Sequence, residues 1–355
     1  MRRHSILTFA AVSLVCFAVD AATLPEFPAN AVWSRDISQA PLNANSGAMI
    51  TATSGWGNGN KFQIDQSMHV VHAVSGTPMV SVVASPQGYT DPDCEALLGL
   101  QFPLPVGGAI EGSTNYTCDN ASGGGDCHLF VVQGTKLFES YLSNVTAGQL
   151  QSGCVIVWDL LKVYPPQGRG EQCTSADAAG FPMASLLFNA DEVFAASQVT
   201  NGDIGHAIRF ILPNASMASG TYVHPASHAG GPSGAANKIP YGSRLRLKST
   251  FDINGFSANT AARVILRTMR RYGIVLADGG NIALTAEDDM FTTHKWIEFG
   301  FDENITYLEQ MLVGVPITAF EVVETGPQIP LTYDCNINGN VLVPKDFIFI
   351  DPFDY

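Results

Sequence analysis

The sequence predicts a mainly β fold: a single β-sandwich or jelly-roll-like domain with one or two short covering helices. Three observations carry that prediction. Short apolar alternations recur along the chain, turn residues separate them, with 34 Gly and 20 Pro among 355 residues, and only one stretch has a strong helical period.

The elements follow in chain order. Arg2, Arg3 and His4 precede an apolar stretch from Ile6 to Val19. A positive start followed by a short apolar run is the pattern of a secretory signal peptide, and the small residues Val19 and Ala21 place cleavage after Ala21. Residues 1–21 are therefore expected to be the signal peptide, and 22–355 one secreted β-rich domain. Cys16 lies within the apolar run, but Leu14 and Val15 lack the small residue that a lipoprotein site requires. No later segment reaches the ~20 consecutive apolar residues of a membrane helix.

Strand-like runs are read at 79–84, 128–132, 136–142, 155–161, 206–212, 244–250, 274–277 and 346–350. Gln133-Gly134 joins the second and third as a hairpin. A helix is expected from the N-cap Ser257, with Ala261, Ile265, Met269 and Tyr272 on one side, ending at Gly273. It should cover the sheet, with its arginines solvated or internally paired. A second helical stretch is read at 185–196. Loops at 55–60, 119–126 and 229–237 are the places for binding residues on a β scaffold.

Six cysteines remain after cleavage: Cys94, Cys118, Cys127, Cys154, Cys173 and Cys335. An even number in a secreted chain favours disulfides over a metal site, for which no Cys-x-x-Cys spacing exists. Spacing alone leaves 15 pairings open, although Cys118 and Cys127 flank a Gly-rich loop that could close locally. Sequons at Asn115, Asn120, Asn144, Asn214 and Asn304 imply surface segments in a glycoprotein. The net charge of −14 makes nucleic acid and anionic membrane poor partners, because phosphate binding needs a basic face. Charged residues are only 14% of the chain, against ~25% usually, so Ser, Thr, Asn and Gly must supply much of the surface. Such a surface is common among proteins that work outside cells among neutral polymers.

Gly-x-Ser-x-Gly, the phosphate-binding Gly-rich loop and His-Glu-x-x-His are all absent, which removes the usual support for esterase, nucleotide and zinc-protease readings. What remains is a set of acids in apolar or tightly structured settings. Glu139 and Asp159 lie in strand-like runs, where an ionised carboxylate is costly unless it is paired or lines a cleft. Asp177 sits beside a turn. A fixed pair of carboxyls is what glycoside hydrolysis needs, and Trp158 and Tyr141 nearby offer faces for stacking sugars. Glu139 and Asp177 are the first candidates for acid and base, with Asp159 in reserve. The alternative for these acids is solvent exposure, or pairing with the strand of Arg244, Arg246 and Lys248.

His206, His224 and His228, with Arg209 and Arg244, form a second set. Strand alternation separates His206 from Arg209, and Pro225 breaks any helix that would align His224 with His228. Backbone hydrogen bonding is favoured over metal ligation, and no cofactor is implied. The Arg244-Leu-Arg-Leu-Lys248 row could bind uronate or sulfate, or neutralise acidic neighbours.

Several segments resemble a group of secreted bacterial proteins common in actinobacteria and acidobacteria. They are Gly205-His-Ala-Ile-Arg-Phe210, Tyr222-Val-His-Pro-Ala-Ser-His228, Arg244-Leu-Arg-Leu-Lys248 with Phe251-Asp-Ile253, and Tyr272-Gly-Ile-Val-Leu-Ala-Asp278. Thr174-Ser-Ala-Asp-Ala-Ala-Gly180 and the Glu139 strand are similar too. The resemblance implies one fold across most of the mature chain and no particular activity. The functional expectation is a secreted glycoside hydrolase. Its rivals are a polysaccharide lyase using the His/Arg set and a non-catalytic glycan-binding or cell-wall protein.

Overall fold

The computed structural model describes residues 23–335 except 89, 96, 98, 120–124 and 302–306. The signal peptide, the strand read at 346–350 and the sequons at Asn120 and Asn304 lie outside the described residues. The fold is mainly β, with seventeen strands and short helices among the described residues, consistent with a β-sandwich.

Ten strands position the site. In chain order they are β1 (Ile64–Met68), β2 (Val70–Ala73), β3 (Leu129–Gln133), β4 (Lys136–Tyr141), β5 (Cys154–Asp159), β6 (Ile208–Leu212), β7 (Arg244–Leu247), β8 (Ile274–Gly279), β9 (Leu284–Glu287) and β10 (Phe320–Val322). Strands β2-β3-β4-β5 form one four-stranded sheet, and β1-β9-β6-β8-β7-β10 form a six-stranded mixed sheet. The expected hairpin is present: β3 and β4 pair antiparallel from Leu129 opposite Ser140 to Gln133 opposite Lys136.

Period-two alternation explains why the four-stranded sheet is apolar on both faces. Leu129, Val131, Phe138 and Val155 pack against Val82, Phe102 and Leu150 of a second four-stranded sheet. Phe130, Val132, Leu137, Ile156 and Trp158 point the other way, onto Leu24, Met183, Ala184 and Leu187. The six-stranded sheet buries Phe210, Ile64 and Leu284 with Trp56, Phe62 and Phe320 in a third core, where the Trp56 and Phe62 rings stack 4.2 Å apart.

Helix α1 (Ala190–Ser197) opens with a capping box, Asn189 accepting from the Glu192 N–H while Glu192 accepts from the Asn189 N–H. Helix α2 (Thr260–Arg271) buries Ala261, Val264, Ile265, Leu266 and Met269, covering the sheet as its period requires. Its cap is Asn259, whose side chain accepts from the Ala262 N–H, rather than Ser257, whose hydroxyl accepts from the Asn259 N–H one turn earlier. The arginines of α2 are internally paired, as in Arg267 to the Gly202 carbonyl and Arg271 to Asp36 and Asp203.

All six cysteines are paired, as Cys94–Cys154, Cys118–Cys127 and Cys173–Cys335. The short Cys118–Cys127 loop closes locally, and three bridges point to an oxidising compartment. No helix among the described residues is long and apolar enough to cross a membrane.

Candidate functional site

The best candidate is a group of acids between the polar face of the six-stranded sheet and one rim of the four-stranded sheet, which feel one another's charge around Arg209 and Tyr141. The placement of Arg209 is set by alternation on the sheet. Phe210 faces the apolar core, so Arg209 faces the other way, in a row with Thr285 and Asp65, which are register partners across β9 and β1. A buried guanidinium needs its charge and its donors satisfied. Arg209 donates to both oxygens of Asp177, at 2.9 and 3.2 Å, and to Thr285 Oγ1 at 2.6 Å. Asp177 reaches it from a tight loop in which the Ser175 hydroxyl accepts from the Asp177 N–H and donates to the Phe181 carbonyl. Gly180 closes that loop at φ +79°, where a side chain would strike Ser227 Oγ and the Cys173 carbonyl.

One side comes from the four-stranded sheet. His128, Phe130, Glu139 and Tyr141 share a face of β3 and β4, and at its rim the His128 and Tyr141 rings lie 5.2 Å apart. His128 Nδ1 bonds Glu111 Oε2 at 2.8 Å, and Nε2 bonds the Ala176 carbonyl at 3.2 Å. Burial opposes charge on His128, but the adjoining Glu111 carboxylate outweighs it and raises the imidazole pKa. Burial likewise opposes charge on Glu111, yet the ion pair holds its carboxyl below the ordinary value. With both ring nitrogens engaged, His128 positions Glu111 and is not a free base.

The opposite side ends in Asp278, on the same face as Ile211 next to a register shift between β6 and β8. Burial, reinforced by the charge of Asp177, pushes the Asp278 carboxyl up to about 6 against the pull of Arg209. The Gly279 N–H donates to its Oδ1, and among the described residues no donor meets Oδ2. Asp65 is also raised, by burial and by Glu111, against hydrogen bonds from Ser67. Asp65, Glu111, Tyr141 and Asp278 are half-buried and keep partial contact with solvent. Convergence shows in Tyr141 and Arg209. Burial pushes the Tyr141 hydroxyl up to about 12, with Asp126, Asp278 and Glu111 adding to it, and Arg209 likewise feels Asp177, Asp278 and Glu111.

The site residues expected from sequence are dispersed in the structure. Glu139 feels the charge of Asp177, but both side chains are fully buried. Glu139 accepts from Trp158 Nε1 and the Ala184 N–H, both at 2.8 Å. Burial pushes it up to about 7. It supports the backbone where the chain crosses the sheet. Trp158 is 1% exposed and offers no face to a sugar. Asp159 stands outside, paired with Lys136 at 2.9 Å.

The His/Arg set does not converge. His206 pairs with Glu192 beside a separate cavity of about 210 Å³, and His224 pairs with Glu171. His228 bonds the Ala178 carbonyl at 2.8 Å. Arg244 is buried against the carbonyls of Tyr272, Val32, Trp33 and Arg35. Arg246 binds Glu321 and three carbonyls, so the two arginines of the row are turned to the protein's own acceptors, and Lys248 bonds the Thr318 carbonyl. Of the expected binding residues, Tyr141 and Arg209 stand among the acids.

Glu111, His128, Asp65 and Asp278 were missed. Asp278 had a readable signal, an acid directly after the apolar run Ile274–Ala277 and before Gly279-Gly280, where a sheet meets its rim. Glu111 lies outside any strand and had none. Among the described residues no cluster of His, Cys, Asp and Glu is arranged to hold a metal ion. Cavities at Trp33 and at His206 lie away from these acids; the acids are the better candidate because perturbed carboxyls are concentrated there. No protein family, curated protein or solved structure matches the chain.

Proposed function

We propose that the protein is a secreted carbohydrate-active enzyme, a glycoside hydrolase that cuts an extracellular polysaccharide with Asp278 as general acid and Glu111 as its charged partner. The observation that carries this reading is the opposite pull on two solvent-touching carboxyls around Tyr141 and Arg209. One is pushed up to about 6 and the other is held down by the adjoining His128. Separated pKa values on paired acids are what proton donation and charge stabilisation at one glycosidic bond require. Protonated Asp278 would give its proton to the bridging oxygen as the bond to the anomeric carbon breaks. Ionised Glu111 would stabilise the positive charge that develops there, and water completes the hydrolysis.

The test is reducing-end release from a polysaccharide panel by the purified protein. Asp278→Asn and Glu111→Gln should each lower the rate by about 10²–10⁴-fold, and the wild-type rate should fall as pH rises through about 6, where Asp278 loses its proton. Unchanged rates in both variants would remove the assignment. Retention on an insoluble glycan without soluble sugar would select a binding protein instead.

A further inference from the structure

The cavity of about 210 Å³ beside His206 is lined by residues of the N-terminal segment 24–34, by Ser185 and Glu192 at the start of α1, and by residues 204–206 leading into β6. Leu24, Phe27, Trp33 and Ile204 give it apolar walls. A cavity of roughly 150 Å³ holds a benzene ring, so this one has room for a ring with a substituent. Its polar groups are mostly acceptors. His206 Nε2 bonds Glu192 Oε1 at 3.2 Å and Nδ1 bonds the Ala207 carbonyl at 2.8 Å, so both ring nitrogens are engaged within the protein. Glu192 Oε2 accepts from the Asn189 N–H at 3.3 Å, which leaves a lone pair on each carboxylate oxygen. Exposed Glu26 adds a second carboxyl. Among the described residues that line the cavity there is no lysine or arginine, so at most the charge of His206 faces the carboxyls of Glu26 and Glu192. Ser185 lines it too; the residue is 6% exposed, and its hydroxyl has no hydrogen-bond partner among the described residues. A buried hydroxyl in that state is rare.

From the mixed lining, the engaged histidine and the unpartnered Ser185 hydroxyl we infer that this cavity binds a compact organic ammonium, a single apolar ring or its equivalent carrying a primary amine. The apolar walls take the body of such a ligand. An ammonium brings donors and no acceptor, which suits the Glu192 carboxylate and the Ser185 hydroxyl, and its charge offsets the surplus carboxyl. In a partly desolvated site that charge pair is worth more than on an open surface. An anion of the same size meets two carboxyls and no free cationic donor, and a neutral alcohol fills the volume without the charge. The inference is independent of the glycosidase reading, since neither Asp278 nor Glu111 lines the cavity.

The experiment titrates the purified full chain with three probes of nearly equal size, benzylamine, benzyl alcohol and benzoate, at about pH 7, where the amine and the carboxylate are both charged. Binding is followed by NMR. Benzylamine should bind roughly ten-fold or more tightly than benzyl alcohol, and benzoate should bind weakest. Glu192→Gln keeps the cap of α1, because glutamine also serves in a capping box, and should bring benzylamine to within about two-fold of the alcohol. Glu26→Gln, at an exposed position, should weaken benzylamine alone by about two- to five-fold. Ala29→Phe, exposed at the cavity's edge, should weaken benzylamine and benzyl alcohol together by crowding the space. No binding of benzylamine at about 10 mM, affinity equal to that of the alcohol, or tighter binding of benzoate would overturn the inference. So would wild-type affinity for benzylamine in both Glu192→Gln and Ala29→Phe; should Glu192→Gln fail to fold, unchanged affinity in both Glu26→Gln and Ala29→Phe decides against it.

Discussion

Two parts of the six-stranded sheet carry buried charge and treat it oppositely. At β7, Arg244 and Arg246 are saturated by backbone carbonyls and Glu321, and Lys248 just beyond binds the Thr318 carbonyl. At β6, β8 and β9 the cation Arg209 is shared electrostatically among Asp177, Asp278 and Glu111, and among the described residues no donor meets Asp278 Oδ2. Charge that is fully satisfied by its own protein holds the fold together; charge left short of partners is available to something else. The difference lies in the count of partners, not in burial, since Arg209 and Arg244 are both 3% exposed.

Substitutions can break or sharpen that contrast. The largest effects belong to the two arginines. Arg209→Met leaves Asp177 buried without its counter-ion and should cost about 3–5 kcal/mol. Arg244→Met should cost a similar amount, because four carbonyls lose a charged donor. Urea unfolding measures both, and activity per folded molecule separates them: intact for Arg244→Met, lost for Arg209→Met. Equal loss of activity in both would dissolve the contrast.

Next in size is Asp278→Asn. The folded-state pKa of Asp278 lies above its ordinary value, so holding it ionised is a penalty that sets in between about pH 4 and 6 and is complete above 6. The asparagine variant should therefore be more stable than wild type at pH 8, by on the order of 1–3 kcal/mol given its partial contact with solvent. The two should converge at pH 4. A loss of stability at pH 8 would mean that the carboxylate is internally satisfied like the β7 cations. The smallest effect is expected at Asp159→Asn, where a surface pair with Lys136 is removed; stability should change by less than about 1 kcal/mol and activity not at all.

The parts of this molecule that sequence made legible are those written in local periodicity. The β class, the hairpin ending at Gln133 and Lys136, the covering helix and the local Cys118–Cys127 bridge all depend on neighbours within about a dozen residues. The candidate site does not. It draws on Asp65, Glu111, His128, Tyr141, Asp177, Arg209 and Asp278, which converge only when two sheets meet. Isolation in an apolar strand was a misleading criterion. It picked out Glu139, and burial there served backbone support. It also picked out Trp158, whose ring edge meets Tyr164 and Phe27 inside the core. The acids that remain reachable sit at strand ends and in turns, where a carboxylate looks ordinary on paper.

The Cys173–Cys335 bridge lies four residues before Asp177, and Ser227 donates to the Cys173 carbonyl at 2.7 Å. The covalent staple that fastens the far end of the described chain therefore also clamps the loop under the arginine. Thiol reductants would slacken both together, which couples the placement of Asp177 to the oxidising surroundings in which such bridges persist.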